Sequence, residues 1–326
     1  MDKIDRRLLT EVQRRFPLES RPYKTLAERL SLKEEEILER LERLKEAGVL
    51  RQISAIFDPK ALGYETCLVA AEVPKKILDE AVRVINAYPG VSHNYLRDHR
   101  LNIWFTIAVP PGERLEDTVA ALLARAGVEK YLLLPIKRVF HIAVVHDLDR
   151  ENGIDSPSEA QAPPSGEKKF SLPDERTVSL VRLTQEDLPR VKHPFRLLAE
   201  RVDLGEEELL LWLKKGLETG LIRRFAGLVK HTRAGLKGNI MVAWEVPEER
   251  LEEVGNFFAR EKKITHCYER QSYPEWPYNL YTMIHAKDEK EARETVYSLA
   301  SQAKVEKFLP LTTLRELKKI RLKLFW

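Results

Sequence analysis

RPYKTLAERLSLKEEEILERLERLKEAGVLRQ, residues 21–52, is written a second time without a gap as HPFRLLAERVDLGEEELLLWLKKGLETGLIRR, residues 193–224. Pro22 falls on Pro194, residues 26–29 on 198–201, the Glu triplet 34–36 on 206–208, and Gly48 on Gly220. The correspondence runs on through VSHNYLR from Val91 against ITHCYER from Ile264, LNIWFTI from Leu101 against YNLYTMI from Tyr278, and VEKYLLL from Val128 against VEKFLPL from Val305. The chain is therefore one plan used twice. Between the copies lies DRENGIDSPSEAQAPPSGEKK, polar and rich in Pro, Ser and Gly, which reads as a flexible linker.

In the first copy, Ile4, Leu8, Leu9 and Val12 have helical spacing, as do Leu26 and Leu30, then Ile37, Leu38, Leu41 and Leu44. Lys45 followed by Gly48 closes the third helix. The β-branched run 49–57 predicts a wing, so the block reads as a winged helix-turn-helix. Beyond it the pattern is strand 67–73, helix 75–88, strand 91–99, strand 102–109, helix 113–126 and strand 129–134. That βαββαβ order predicts a ferredoxin-like sandwich, an antiparallel sheet with helices on one face. The second copy repeats it from 239 to about 313. The fold class is α+β, a tandem repeat with domains at 1–58 (winged helix-turn-helix), 59–148 (sandwich), 149–170 (linker), 171–230 (second winged helix-turn-helix) and 231–326 (second sandwich).

Composition narrows the function. Lys+Arg at 55 against Asp+Glu at 51 leaves a formal charge of +4, which does not announce a nucleic-acid binder. Residues 33–47 carry four basic and six acidic side chains, and residues 205–219 carry two and four, so both candidate recognition helices are net negative. Acidic first turns suit the helix macrodipole but oppose DNA phosphates, and no sequence-specific DNA binding is expected. No apolar stretch is long enough to span a bilayer and MDKIDRRLL has no apolar signal core, so a soluble cytoplasmic protein is expected. Cys67 and Cys267 stand far apart without a CxxC motif and read as buried thiols.

A winged helix followed by βαββαβ resembles the Lrp/AsnC family of transcription regulators, whose sandwich domains pair about a twofold axis. The strand motifs VSHNYLRDHRLNIWFTI (91–107) and THCYERQSYPEWPYNLYTMIHA (265–286), with FPLESRPY from Phe16 and GLIRRFAG at 220–227, resemble the two subunits of siroheme decarboxylases. That resemblance covers nearly the whole chain outside the linker. It implies removal of two acetate carboxyl groups from siroheme to give 12,18-didecarboxysiroheme, for haem d1 or an alternative haem route. It also implies two subunit types fused into an intramolecular pseudo-dimer, with further oligomerisation left open. Siroheme is the expected partner and downstream tetrapyrrole enzymes are candidate ones; no membrane partner and no cofactor beyond the iron tetrapyrrole substrate are expected.

On a strand, alternate residues share a face. His93, Tyr95, Arg97 and His99 therefore share one side of their strand, and His266, Tyr268 and Arg270 share the matching side in the second copy. Imidazole, phenol and guanidinium make a poor packed core but suit a cleft for an aromatic polyanion. Against the implied substrate, His93, His266, Tyr95 and Tyr268 are the candidate catalytic groups, with His93 or His266 also the candidate axial ligand to the substrate iron. Arg97 and Arg270 offer forks for carboxylates. His99 is a further candidate substrate-binding residue, Trp104, Tyr273, Trp276 and Tyr281 are candidate walls, and Arg51, Arg223, Arg224 and His231 candidate carboxylate holders near the wing. His141 and His146 have no counterpart in the repeat and are weaker candidates. The loop SYPEWPY, 272–278, is four residues longer than its first-half equivalent and is expected to shape a deeper pocket. Two other readings stay open: a ligand-responsive Lrp/AsnC-type regulator, and a siroheme carrier without chemistry.

Overall fold

The computed structural model describes residues 1–14, 16–142, 173–229 and 238–326. The linker reading at 149–170, His146 and His231 lie outside the described residues. In the first half, α1 (Lys3–Arg14) buries Leu8, Leu9 and Val12, α2 (Pro22–Leu30) opens on Pro22, and α3 (Glu34–Glu46) carries Glu34–Glu36 in its first turn and Arg43 and Lys45 in its last. That charge order complements the helix dipole at both ends. Gly48, at φ +67°, then turns the chain into β1 (Leu50–Phe57), a conformation that costs glycine little. There follow β2 (Glu65–Ala71), α4 (Leu78–Ala87), β3 (Val91–Arg97), β4 (Ile103–Val109), α5 (Leu115–Arg125) and β5 (Tyr131–Ile142). The second half repeats the order: α6 (Glu175–Thr184), α7 (Pro194–Glu200), α8 (Glu206–Thr219), β6 (Ile222–Val229), β7 (Gly238–Trp244), α9 (Leu251–Ala259), β8 (Ile264–Arg270), β9 (Leu280–Ala286), α10 (Glu289–Ala303) and β10 (Phe308–Lys319).

Two features depart from the sequence reading. The run 49–57 is not a wing folded back on its own helices: β1 pairs antiparallel with β6 of the other half, with Ser54 opposite Ala226 and Ile56 opposite Arg224. One face of this ribbon delivers Ile53, Ala55, Phe57 and Phe225 into a single core built from both helix trios, including Leu9, Leu41, Phe195 and Leu213. The last strand of each sandwich also runs well past its expected end at 134 or 313. β5 pairs with β2 through residues 131–135 and then with β8 of the other half through residues 136–142; β10 pairs with β7 and then with β3. The two sandwiches are thereby closed into one eight-stranded barrel, ordered β10-β3-β4-β2-β5-β8-β9-β7. Helices α4 and α5 cover one side and α9 and α10 the other, each pair over its own apolar layer.

Phe140 of β5 lies on α9, where Gly255 leaves room: a Cβ at that position would stand 2.5 Å from the ring. The exchange of strands is thus packed by side chains as well as by backbone ladders. Among the described residues, no helix is long and apolar enough to cross a membrane. Cys67 and Cys267 are both buried, and burial pushes the Cys67 thiol up to about 12, which leaves it inert.

Candidate active site

A register shift between Val91 and His93 sets the facing of β3. Val91 joins the layer under α4 and α5, yet His93, Tyr95 and Arg97 turn to the barrel interior, with His93 opposite Thr106 and Tyr95 opposite Trp104. Asn94 points outward, donating to Asn86 Oδ1 at 3.0 Å, and Leu96 packs with the outer layer. β8 repeats this with the same shift after Ile264: His266 is opposite Met283 and Tyr268 opposite Tyr281. The shared face therefore holds for these six residues. His99 does not extend the row: β3 ends at Arg97, and His99 lies in the following turn, where its Nδ1 accepts the Leu101 N–H at 3.0 Å. Its ring meets the edge of Trp276 at 5.5 Å.

Among the described residues, Arg97 and Arg270 are the buried basic side chains, 3% and 7% exposed. Arg97 Nη1 donates to the Leu311 carbonyl at 2.8 Å and to Thr313 Oγ1 at 3.1 Å, and Arg270 Nη1 donates to the Leu134 carbonyl at 2.7 Å. Each anchor comes from the long strand of the opposite half. Each guanidinium also lies over the tyrosine of its own row, 5.4 Å for Arg97 on Tyr95 and 5.1 Å for Arg270 on Tyr268. Among the described residues neither forms an ion pair with a carboxylate, and both Nε atoms are buried without an acceptor. Burial pulls Arg97 down to about 10, so it stays cationic at neutral pH. An uncompensated buried charge is costly, and an anion is the group that relieves it.

Nearer the ribbon, Ser92 Oγ lies 3.0 Å from His93 Nδ1, and Thr265 Oγ1 lies 2.9 Å from His266 Nδ1. The His–Tyr ring centroids are 6.3 Å apart in the first row and 5.8 Å in the second. Burial, helped by Lys319 and opposed by Glu316, lowers His93 from its ordinary value and favours the neutral imidazole. Burial pushes Tyr95 and Tyr268 up to about 12, so both keep their phenolic proton at neutral pH.

Trp104, Trp276 and Tyr281 are 1%, 5% and 2% exposed and pack with Leu68, Leu134 and Leu311 as the barrel's inner core. Their polar atoms are consumed inside it. Trp104 Nε1 donates to the Leu101 carbonyl at 2.7 Å, and Trp276 Nε1 donates to Tyr281 Oη at 2.6 Å. The loop 272–278 folds inward as a plug, with Tyr273 Oη donating to the Leu133 carbonyl at 2.6 Å. It fills the barrel where a deeper pocket was expected, and the aromatic residues form a floor beside the arginines.

The ribbon cations separate into different situations. Arg51 is exposed. Arg223 is half-exposed and bonds Asp58 Oδ1 at 3.1 Å, close enough to Tyr268 for its charge to act on the phenol. Arg224 is largely buried, which lowers it from its ordinary value. Arg321, absent from the sequence reading because it lies beyond the repeated motifs, reaches the same ribbon: its Nη1 donates to Ser54 Oγ at 2.6 Å and to the Gln185 carbonyl at 3.1 Å. His141 is on β5, facing Cys267 in the ladder. Two open surface clefts, of about 300 Å³ beside Trp212 and about 650 Å³ beside Lys263, contain none of these groups.

The profile of the AsnC-like ligand binding domain matches residues 61–141 and 233–318, and that of the siroheme decarboxylase NirDL-like HTH domain matches residues 5–51 and 178–223. A siroheme decarboxylase of Hydrogenobacter thermophilus is 37% identical over 98% of this chain and 94% of its own length. The alpha subunit of the Desulfovibrio desulfuricans siroheme decarboxylase is 41% identical over 47% of this chain and 87% of that subunit. A crystal structure of the siroheme decarboxylase NirDL in co-complex with an iron-uroporphyrin III analogue superimposes with a TM-score of 0.80 at 34% identity, covering 99% of this chain and 94% of that one. With its fold matched over nearly its full length and its helical domains matched in both halves, the chain belongs to the siroheme decarboxylase family.

Proposed function

We propose that this protein decarboxylates siroheme, removing carbon dioxide from two acetate side chains to leave methyl groups and 12,18-didecarboxysiroheme. The observation that carries the reading is the pair of interior His-Tyr-Arg rows, each ending in a buried guanidinium fixed at one edge and without a carboxylate partner. Tetrapyrrole carboxylates supply the missing anions, and the aromatic floor suits a flat macrocycle. The fusion makes one pseudo-dimer of two subunit-like halves, and the crystallised relative's iron-uroporphyrin ligand is of the same chemical class. A ligand-responsive regulator is the weaker reading.

The chemistry follows from the groups at hand. Breaking the acetate C–C bond leaves an electron pair that must be delocalised. Protonation of the adjacent pyrrole carbon converts the ring into the acceptor; carbon dioxide departs, the exocyclic carbon is then protonated, and the ring proton is returned. Each turnover consumes one proton per carbon dioxide released. Tyr95 and Tyr268 keep their protons at neutral pH and can donate them, contributing typically about 10²- to 10⁴-fold. His93, held neutral by its burial, or His266 ligates the substrate iron or returns the proton. The substrate's own ring is the electron sink, so the scheme calls on no added cofactor. Anaerobic incubation of the purified protein with siroheme, followed by mass analysis of the pigment, tests it. Loss of two carbon dioxide units is expected; siroheme that is bound but unchanged makes the protein a carrier.

A further inference from the structure

Beneath the β1–β6 ribbon, Ser54, Ile56, Arg224 and Ala226 occupy the face opposite to the one that buries Ile53, Ala55 and Phe225 in the helical core. Arg321, two residues past the end of β10, is held against this ribbon. Besides its bonds to Ser54 Oγ at 2.6 Å and the Gln185 carbonyl at 3.1 Å, its Nη2 donates to the Ala55 carbonyl. The same segment is tied to the barrel, because the Ile320 N–H donates at 2.9 Å to the carbonyl of Ser92, the residue before His93. Arg321 therefore lies between the ribbon and the His93 end of the first row.

All three acceptors are neutral and leave the charge uncompensated. The carboxylate whose field reaches Arg321, Glu186, is exposed and paired with Lys323 at 2.7 Å. Burial lowers Arg321 to about 10, and Arg224 lowers it further, so two partly buried guanidinium groups repel one another across one ribbon face. An anion between them removes both the desolvation and the repulsion. Gln52, the repeat counterpart of Arg224, joins the same cluster, its Nε2 donating to Ser54 Oγ at 2.8 Å and to the Gln185 carbonyl at 2.9 Å, and in sequence Arg321 aligns with Val144, which lies outside the described residues. Lys319 is opposite His93 in the ladder, whereas Ile142 is opposite His266.

We propose that Arg321, with Arg224 beside it, forms an anion subsite at the His93 mouth that takes a carboxylate of the tetrapyrrole, so that the two pseudo-equivalent halves hold the substrate unequally. This rests on the reading of the chain as a siroheme enzyme. The test uses the full chain, with anaerobic siroheme titration followed by absorbance, turnover, and competition by inorganic phosphate. Arg321→Gln should weaken siroheme binding on the order of tenfold or more, as expected for losing a charge-assisted contact. Arg321→Lys should restore part of the affinity, and phosphate should compete in the native protein but much less in Arg321→Gln. Ser54→Ala removes an acceptor and keeps the charge, so it reports on Arg321 as a mere tie. Native affinity in Arg321→Gln, or an equal loss in Ser54→Ala, overturns the subsite. Where Arg321→Gln does not fold, Arg224→Gln is read in its place, and unchanged affinity with unchanged phosphate competition is the negative result. A native protein that binds siroheme but releases no carbon dioxide ends the decarboxylase reading and leaves the subsite to the affinity comparison. A native protein that binds no siroheme ends both.

Discussion

Arg97 and Arg270 are each pinned at Nη1 by a backbone carbonyl, so the opposite Nε edge is aimed before any ligand arrives. An ammonium reproduces the charge but neither the anchor nor the two-pronged edge. Arg97→Lys and Arg270→Lys should therefore each weaken siroheme binding or lower turnover by about tenfold or more, the equivalent of one charge-assisted hydrogen bond. His93→Ala and His266→Ala divide differently: loss of a proton-transfer group lowers turnover with the pigment still bound, whereas loss of an iron ligand shifts the absorption spectrum. Native binding, turnover and spectrum in all four variants would make both rows structural. Acid stability follows from the same burial. His93 is lowered in the fold, so the unfolded chain takes up its proton first as pH falls below about 6.5, and stability declines from there. Urea midpoints at pH 7.5 and 5.5 should differ less in His93→Gln than in the native protein, the share of one such group being at most about 1.4 kcal/mol per pH unit. An unaltered difference removes His93 from the cause.

At the scale of elements, the helices and the alternating rows are legible in sequence because each obeys a local rule: apolar spacing in α1 and α3, and period two in β3 and β8. The strand exchange is not, because Pro135 and the basic pair Lys137–Arg138 interrupt the apolar run that would otherwise announce β5. Pro135 is the last β5 residue paired with β2, where the ladder passes to β8, and its carbonyl accepts the Gln271 N–H at 3.2 Å. A reading of one half also supplies no partner for residues beyond 134. The aromatic loop is misjudged for a related reason: Trp276 and Tyr273 look like pocket walls until their partners in the inner core are known.

Gly255 tests the exchange directly. Alanine should gain up to about 1 kcal/mol of helix propensity in α9. Against that, its Cβ would meet the Phe140 ring at 2.5 Å, an overpacking that costs about 1–3 kcal/mol. Net destabilisation is expected, with partial rescue by Phe140→Leu in the same chain. A Gly255→Ala protein more stable than native would mean that the ring is not seated there. The acidic helix starts belong to this scale too. Glu34 pairs with Arg21 of its own trio, whereas Glu35 pairs with Lys192 at 2.8 Å and Glu206 accepts from Ser20 at 2.9 Å across the two trios, so these contacts occupy the end that would enter a DNA groove. Selection from random duplexes should recover no reproducible site at physiological salt; a palindromic operator bound below micromolar would restore the regulator reading.

For the whole molecule, the sheet exchange decides what the linker does. Residues 313–319 of β10 complete the ladder beside β3, and residues 136–142 of β5 complete the one beside β8, so each half alone would present an unpaired sheet edge. Each would also uncover its share of the common helical core and leave Arg97 or Arg270 without the carbonyl from the other half. A tether contributes an effective concentration of roughly millimolar at most, a modest gain beside two interstrand ladders and a continuous core. Cutting the chain within residues 149–170, near Pro163, should therefore leave one particle of unchanged mass by light scattering, with siroheme turnover within about twofold of native, since the shared apolar core outweighs the lost tether. The halves expressed separately should aggregate or stay inactive until mixed. Should the nicked halves instead part on dilution into stable monomers that each keep full activity, the barrel would not be the functional unit and each row would have to work without the other half's strand.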